Sequence, residues 1–118
     1  AMMAAGHYHL NNLCATIDLN GLQISGTTDD VMSSSSLAEK FKAFHWNVIE
    51  VEDGNNCQLL KVAYEAAKKC LDKPTLVLAH TTKGKGVSYM ENAASWHHGV
   101  MTEEQYKQAV EEIEKVLA

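Results

Sequence analysis

The stretch KPTLVLAH, at residues 73–80, decides the fold. Its apolar run from residue 75 is nearly continuous, which is typical of a strand that is covered on both faces of a parallel sheet. Pro74 suits the first residue of such a strand. Two other β-rich runs, at residues 13–18 and 46–51, come earlier in the chain. The sequence therefore predicts three strands.

Amphipathic helical patterns follow each of these strands or separate them. Ser36 with Glu39 and Thr102 with Gln105 have capping-box spacing, and the asparagine pair at residues 55–56 can cap a helix between them. The apolar faces of the three predicted helices comprise Leu37, Phe41 and Phe44; Leu59, Leu60, Ala63, Tyr64, Ala67, Cys70 and Leu71; and Tyr106, Ala109, Val110, Ile113, Val116 and Leu117. This alternation predicts right-handed crossovers and the α/β class, a parallel sheet with flanking helices.

Two long segments, at residues 19–35 and 81–101, fit neither a strand nor a helix pattern. Loops of this length are usually functional or disordered. Each segment follows the carboxyl end of a predicted strand, and ligands bind at that edge of open parallel sheets. We therefore expect a functional site that both segments share.

The composition limits the classes of function. A chain of 118 residues forms one modest core, so we expect a single domain over residues 1–118. All ten basic residues are lysine and the net charge is −5, which argues against a nucleic-acid partner. Cys14, Cys57 and Cys70 are expected to be free, buried thiols in a reducing compartment. No apolar run is long enough for a membrane span, and a cytoplasmic location is expected.

The first long segment contains an Asn-Gly turn with two potential oxygen ligands. Asn20 carries a neutral amide oxygen, and the carbonyl of Leu22 can point to the same place because Gly21 lets the chain turn tightly. Such oxygens suit a hard cation, for example Mg²⁺. Considered alone, an Asn-Gly pair after a strand is more often only a turn.

The second long segment contains a basic, glycine-rich run and a histidine pair. Lys83 can place a point charge on a phosphate, although a short run of this kind usually marks a solvated loop. His97 and His98 can donate to an oxyanion or carry a proton. Zinc is the alternative for adjacent histidines, but no cysteine or acid lies nearby at ligand spacing. A solvated helical face, with no catalytic pair, is predicted for Glu103, Glu104, Glu111, Glu112 and Glu114.

The order of these motifs resembles the transketolase family. The matching blocks are GHYHLNNL at 6–13, IDLNGLQISG at 17–26, FHWNVIEV at 44–51, KPT at 73–75, HTTKGKGVS at 80–88, MEN at 90–92 and SWH at 95–97. The likeness is nearest to the separate amino-terminal subunit of transketolases that are split into two chains. It implies the latter part of a thiamine-diphosphate-binding fold.

The resemblance also implies the roles of individual residues. Asn20 matches a side-chain metal ligand that also touches the diphosphate, and Leu22 matches a backbone-carbonyl ligand of Mg²⁺ or Ca²⁺. Ile24 matches an aliphatic side chain that packs against the cofactor rings. Lys83 matches a lysine of the cofactor site. His97 matches a catalytic histidine near the diphosphate and the substrate.

The implied reaction moves a two-carbon ketol unit between sugar phosphates. The family motif opens with Gly-Asp-Gly, which is absent from this sequence, so a truncation before residue 1 is expected. A carboxy-terminal subunit would supply the pyrimidine-binding domain within a dimer or another homo- or hetero-oligomer. Mg²⁺ needs charge to compensate for lost water. We therefore expect the chain alone to bind cofactor weakly and to be inactive. His98 is a displaced candidate for the role of His97.

Two other functions remain open. The first alternative is a non-catalytic domain that serves assembly. The second is part of another thiamine-diphosphate enzyme, such as a deoxyxylulose-phosphate synthase or a dehydrogenase E1 component. The NGLQI run at residues 20–24 and the Trp-His pair at residues 96–97 argue against this last group.

Overall fold

The computed structural model describes residues 1–117 and divides the chain into two compact units. The first unit combines Ala1–Leu19 with Ser34–Thr81, and the second combines Asn20–Ser33 with the chain from Thr82 onward. The elements in chain order are α1 (Met2–His7), β1 (Cys14–Leu19), β2 (Leu22–Gln23), β3 (Gly26–Thr27), α2 (Thr28–Met32), α3 (Leu37–Ala43), β4 (Asn47–Val51), α4 (Cys57–Ala67), β5 (Thr75–His80), a 3-10 helix (Ala94–His97) and α5 (Glu103–Leu117).

The first unit is built on a three-stranded sheet with the order β1-β5-β4, in which both neighbouring pairs are parallel. β5 coincides with the predicted strand, and the bounds of β1 and β4 differ from the prediction by one residue. β5 lies between two neighbours, and its residues 75–79 are buried. Its nearly continuous apolar run is therefore explained, because water reaches neither face nor either edge of this strand.

The side chains of β5 divide between two cores. Leu76 and Leu78 belong to a cluster that α1 and α3 cover. Val77 lies in a second cluster with Val51, which α4 covers through Ala63. Alternate residues of a strand point to opposite faces, so these two clusters lie on opposite faces of the sheet. The prediction of a parallel sheet with flanking helices is confirmed.

Two of the three predicted helix caps are confirmed. The Asn56 side chain accepts hydrogen bonds from amides of the first turn of α4 at 2.9 and 3.3 Å. Thr102 and Gln105 form a reciprocal capping box at 2.9 and 3.3 Å. The predicted cap at Ser36 is wrong, because its φ of 59° is left-handed and its side chain makes no capping bond. A capping side chain requires the extended backbone instead.

Fewer residues of the predicted apolar helix faces are buried than the sequence pattern indicates. α4 buries Ala63 and Ala67, whereas Leu71, which follows it, is 77% exposed, and α5 buries Ala109. Periodicity identifies the residues that share a face but not how much of that face is covered. The predicted core residues that are exposed also include Leu59, Tyr64, Tyr106, Ile113 and Val116. The predicted burial of the Leu117 side chain lies outside the described residues.

The expectation that residues 19–35 lack regular structure is wrong. In the second unit, β2 and β3 form an antiparallel pair with Leu22 opposite Thr27, and α2 follows directly. Thr27 caps α2, since its Oγ1 accepts a bond from the Asp30 amide at 3.1 Å. Strands of two residues and a helix of five are too short to produce a readable hydrophobic period.

Two further expectations came from composition. The prediction of buried thiols is wrong for Cys14 and Cys57, which are exposed, while Cys70 is partly buried and all three are free. Cys14 starts an outer strand and Cys57 starts a helix, where apolar neighbours in sequence do not enclose them.

Within residues 1–117, no helix combines the length and the apolar character that crossing a membrane requires.

The central strand provides a test of this core. Leu76 is fully buried, so Leu76→Ala should lower the free energy of unfolding by about 2–5 kcal/mol, because it removes apolar contacts and leaves a cavity. The same change at the exposed Leu71 should cost less than about 0.5 kcal/mol. Urea denaturation of both variants measures the difference, and equal losses would contradict the burial of β5.

Candidate functional site

The two long segments leave the sheet from adjacent strand ends. Leu19 and His80, the last residues of β1 and β5, are register partners. The Thr81 amide donates to the Leu19 carbonyl at 3.3 Å, and the Thr81 hydroxyl donates to Asp18 Oδ1. The expectation that both segments start at one edge of the sheet is therefore confirmed. Beyond this edge the chain enters the second unit, which contains all the predicted site residues.

The Asn20–Leu22 turn has a fixed conformation. Asn20 Oδ1 accepts a hydrogen bond from the Leu22 amide at 2.9 Å, and Gly21 has a φ of +73°, which favours glycine. The Gly21 carbonyl in turn accepts from the Thr28 amide at 2.9 Å. The turn is thus held by a bond within it, from the Leu22 amide to Asn20, and by a bond from Thr28, the first residue of α2. These two hydrogen bonds fix the backbone of the turn on both sides of Gly21.

The possible metal ligands in this turn are hard oxygen atoms that carry no charge. An amide oxygen such as that of Asn20 has two lone pairs and is a neutral oxygen ligand. The Leu22 carbonyl adds another oxygen, and oxygens of this type fit Mg²⁺ or Ca²⁺. Among the described residues, no group of three or more His, Cys, Asp or Glu side chains is placed to hold a metal. The turn itself therefore offers a metal neutral oxygens and no negative charge.

The β2–β3 hairpin presents one apolar and one polar side chain of interest. Ile24, in the connection between the strands, is 60% exposed. Gln23 Nε2 is buried and has no hydrogen-bond partner among the described residues. Buried amides are normally paired, so this donor is suited to an acceptor on a bound group. The exposed apolar side chain and the unpaired donor both fit a ligand that has an apolar ring and polar atoms.

The Lys83 loop, residues 82–92, folds back on itself. The Asn92 amide donates to the Lys83 carbonyl at 2.9 Å and closes the loop. Val87 is buried, and its amide donates to the Gly84 carbonyl at 3.3 Å. Gly84 has a φ of +73°, and a Cβ there would lie 2.5 Å from the Met90 carbonyl oxygen. The glycine in this basic run is thus required by packing as well as by backbone conformation.

The two lysines of this loop differ in their surroundings. Lys85 Nζ lies 3.5 Å from Glu91 Oε1, which also accepts from the Gly86 amide at 3.0 Å. The bond from Gly86, followed by the charge of Lys85, lowers the pKa of Glu91. No described carboxylate forms an ion pair with Lys83, which is partly buried. Of the two lysines, Lys83 is therefore the one whose charge no described carboxylate offsets through an ion pair.

His97 ends the 3-10 helix and is exposed, with its ring against His98 at a centroid distance of 4.7 Å. The preceding Trp96 is partly buried and packs against Tyr89 of the Lys83 loop at 5.2 Å. A Cβ on Gly99 would lie 2.6 Å from the Trp96 ring, so a glycine is needed beneath it. The 3-10 helix also contacts β2. The structure thereby brings the turn that carries His97 beside the strand that begins at Leu22.

A hydrogen-bonded cluster of Glu112, Ser88 and Gln108, which the sequence did not reveal, joins the Lys83 loop to α5. We call it the Glu112 cluster. Glu112 accepts bonds from the Ser88 amide and hydroxyl, both at 2.6 Å, and from Gln108 Nε2 at 2.7 Å. Glu112, which was predicted to lie on a solvated helical face, is partly exposed and in addition binds this loop. The Ser88 hydroxyl, then Gln108, then the Ser88 amide lower the pKa of Glu112 to about 2. Only the four-residue spacing of Gln108 and Glu112 hinted at this cluster.

Replacement of Gly84 tests the packing of the Lys83 loop. Gly84→Ala should destabilise the loop by about 2 kcal/mol or more, because it adds a clash with Met90 to the strain of a positive φ. Gly86→Ala is the matched control, since Gly86 also has a positive φ but nothing lies within 4 Å of its added Cβ. Hydrogen exchange over residues 82–92 measures both changes. A greater effect of Gly86→Ala would contradict this packing.

Acid provides a test of the Glu112 cluster. A carboxyl pKa that is lowered from 4.5 to about 2 in the folded state adds stability above its ordinary pKa. That stability is lost as the pH falls through the folded pKa. NMR titration should show the Ser88 amide still hydrogen-bonded at about pH 4 and released near pH 2. In Ser88→Ala the Glu112 midpoint should rise towards 4.5; an unchanged midpoint would contradict the cluster.

Comparisons with known proteins agree with the resemblance found in the motifs. Residues 1–114 match the family described as transketolase, thiamine diphosphate binding domain. The chain is 50% identical over 113 residues to the A subunit of apulose-4-phosphate transketolase from Phocaeicola vulgatus, with 96% of this chain and 40% of the relative covered. It is 40% identical over 115 residues to 6-deoxy-6-sulfo-D-fructose transketolase subunit SqwG of Clostridium sp., with 98% and 42% covered. The chain thus spans about two fifths of the length of these relatives.

Solved structures give the same result for the fold. Transketolase from Campylobacter jejuni superimposes with a TM-score of 0.88 at 28% identity, over 96% of this chain and 17% of that protein. A Pichia stipitis transketolase in complex with sedoheptulose-7-phosphate gives 0.83 at 31% identity, over 92% and 16%. The fold class predicted from the sequence is confirmed by these similarities. This chain belongs to the transketolase family, and the part it represents is the thiamine diphosphate binding domain.

Proposed function

We propose that this chain is the cofactor-holding part of an enzyme that transfers a two-carbon ketol unit between sugar phosphates. What supports the proposal most is that all five site residues inferred from the family resemblance fall within one compact unit. In that unit, β2 lies against the helix that ends at His97, and the Lys83 loop packs on the same helix through Tyr89 and Trp96. The family match runs across both compact units, which favours treating residues 1–118 as part of one domain.

Each site residue has a role that its chemistry allows. Asn20 and Leu22 would hold Mg²⁺ through neutral oxygens, and Lys83 would neutralise part of the diphosphate charge. Ile24 would pack against the cofactor rings. His97 would act as the catalytic donor or proton carrier near the substrate, and its exposure leaves the imidazole accessible. When bound, thiamine diphosphate supplies the group that stabilises the carbanion, while the protein orients it and excludes water.

A partner subunit is part of this proposal. The relatives from Phocaeicola vulgatus and Clostridium sp. are each named as one subunit of a transketolase. We propose that the partner is a carboxy-terminal subunit that carries the pyrimidine-binding domain, in a homo- or hetero-oligomer such as a dimer. The Asn20–Leu22 turn offers only neutral oxygens, and the described residues contain no group of three or more His, Cys, Asp or Glu side chains placed for a metal, which favours a partner that adds anionic ligands. The isolated chain should accordingly be inactive.

A non-catalytic assembly domain is the second candidate. The observation that favours it is the sheet of the first unit, in which β1 and β4 each pair only with β5 among the described strands. Open strand edges are suited to pairing with another segment. An assembly domain needs no metal turn, so dependence of cofactor binding on Asn20 distinguishes the two functions.

Binding of the cofactor by the chain tests the proposed function. We expect thiamine diphosphate with Mg²⁺ to shift the NMR signals of residues 20–24 and 82–97 with a dissociation constant of about 1 mM or weaker, since the turn offers the metal only neutral oxygens. Asn20→Ala should abolish the dependence on Mg²⁺. Asn12→Ala, which removes an exposed amide from the first unit, should leave it unchanged.

The outcomes separate the parts of the proposal. Absence of any shift in these residues, or equal binding by Asn20→Ala, would contradict the assigned metal ligands. Micromolar binding by the isolated chain would instead contradict the expectation that the turn is insufficient alone. Isothermal titration calorimetry under the same conditions measures the affinity independently.

A further inference from the structure

Ser88 and Tyr89 form a junction at which three parts of the second unit meet. Both residues belong to the Lys83 loop. Ser88 donates two hydrogen bonds of 2.6 Å to Glu112 of α5. The Tyr89 hydroxyl donates to the Gln105 carbonyl of the same helix at 2.7 Å, and its ring packs against Trp96. One dipeptide therefore links the Lys83 loop, the turn that carries His97, and α5.

The contact with Glu112 has the geometry of a fixed clamp. The Ser88 amide donates to Oε2 and the Ser88 hydroxyl to Oε1, so both carboxylate oxygens are engaged by one residue. Gln108 donates to Oε1 as well and lies 3.3 Å from the Ser88 hydroxyl. Charge-assisted bonds of this length are stronger than bonds between neutral groups. Because its oxygens are occupied in this way, Glu112 is placed to hold the loop rather than to exchange a proton with a substrate.

The Lys83 loop needs such an external restraint. Most of its residues are exposed or partly exposed, and Val87 is its one buried residue within the described chain. Exposed loops with few buried contacts open locally at low free-energy cost. The internal bonds close the loop at Lys83 and Asn92, but only Ser88 and Tyr89 connect its far side to a helix through the hydrogen bonds described above.

We propose that Glu112 is a positioning residue, which acts through Ser88 and, together with the bond from Tyr89 to the Gln105 carbonyl, makes α5 a brace for Lys83 and His97. The inference rests on the proposed function, in which Lys83 and His97 face the cofactor. A side chain misplaced by about 1 Å loses much of its effect on a bound group. The brace would keep the lysine and the histidine in one arrangement before the ligand arrives.

A matched pair of variants tests the brace. Glu112→Gln and Glu111→Gln each remove one negative charge from α5, but Glu111 is exposed and is not part of the clamp. Hydrogen exchange over residues 82–92 should rise about tenfold or more in Glu112→Gln and stay unchanged in Glu111→Gln. The ring signals of Trp96 and His97 should shift in the first variant only. Circular dichroism checks that both variants fold.

Variants at Ser88 provide the conservative rescue. Ser88→Ala should raise exchange in the loop, and Ser88→Thr, which keeps the hydroxyl, should restore protection. If the two groups form one clamp, Ser88→Ala should add little to Glu112→Gln in the double variant. Faster exchange without any change in the His97 ring signals would overturn the brace, because the clamp would then be only local. Full additivity of the two substitutions would also overturn it.

A ligand experiment separates the brace from the proposed function. Inorganic pyrophosphate with Mg²⁺ serves as the probe, and Lys83 amide shifts report binding. Glu112→Gln should weaken this binding by about threefold to tenfold relative to the unaltered chain, and Glu111→Gln should not. If no variant binds, including the unaltered chain, while exchange and ring signals still change, the clamp stands and the assignment of Lys83 is overturned. If both variants bind equally, the positioning role is overturned.

Discussion

The structure depends on the burial of one strand, β5, between two parallel neighbours. Backbone groups inside a protein must find hydrogen-bond partners, and the ladders to β1 and β4 provide them along the whole strand. Once this pairing is made, the alternating side chains of β5 require apolar cover on both faces. Leu76 lies in the core that α1 and α3 cover on one face of the sheet. Val77 lies in the core that α4 covers on the other face. The flanking helices follow from that requirement.

The same pairing determines where the chain can carry chemistry. Parallel strands end at a common edge, and the register of β1 with β5 brings Leu19 and His80 to the same level. The residues that follow β1 and β5 are not paired with a neighbouring strand of this sheet. Their backbone can therefore form turns that present polar atoms. The Asn20–Leu22 turn and the Lys83 loop are the results. Both are stabilised by local hydrogen bonds more than by apolar burial, which is typical of residues that serve a ligand.

The sequence predicted the sheet better than it predicted the surfaces. β5 was identified to the residue because an apolar run bounded by Pro74 is hard to accommodate except as a buried strand. The cap at Asn56 was one of two proposed options, and the box at Thr102 followed directly from side-chain spacing. Ser36 failed because the same spacing says nothing about a left-handed φ. The exposure of Leu71 and Cys14 depends on what lies across from them in space, which periodicity does not encode.

Site residues were accessible to sequence reasoning only through their order. An Asn-Gly pair or a basic glycine run is common, and neither alone identifies a cofactor. The contribution of Glu112 was missed because its partner Ser88 is 24 residues distant and belongs to a loop. No local pattern connects the two. The difference between Lys83 and Lys85 was equally hidden, since it depends on a return contact from Glu91.

The open edge of β1 has a consequence for the behaviour of the chain in solution. Among the described strands β1 pairs only with β5, and alternate residues of β1 direct their backbone donors and acceptors to its other side. The strand contains no lysine or proline that would discourage an incoming strand. A segment that adds to this edge would extend the sheet while the described strands keep their own pairing. Association at this edge would therefore not be measured by the free energy of unfolding, which reports only the contacts inside the chain.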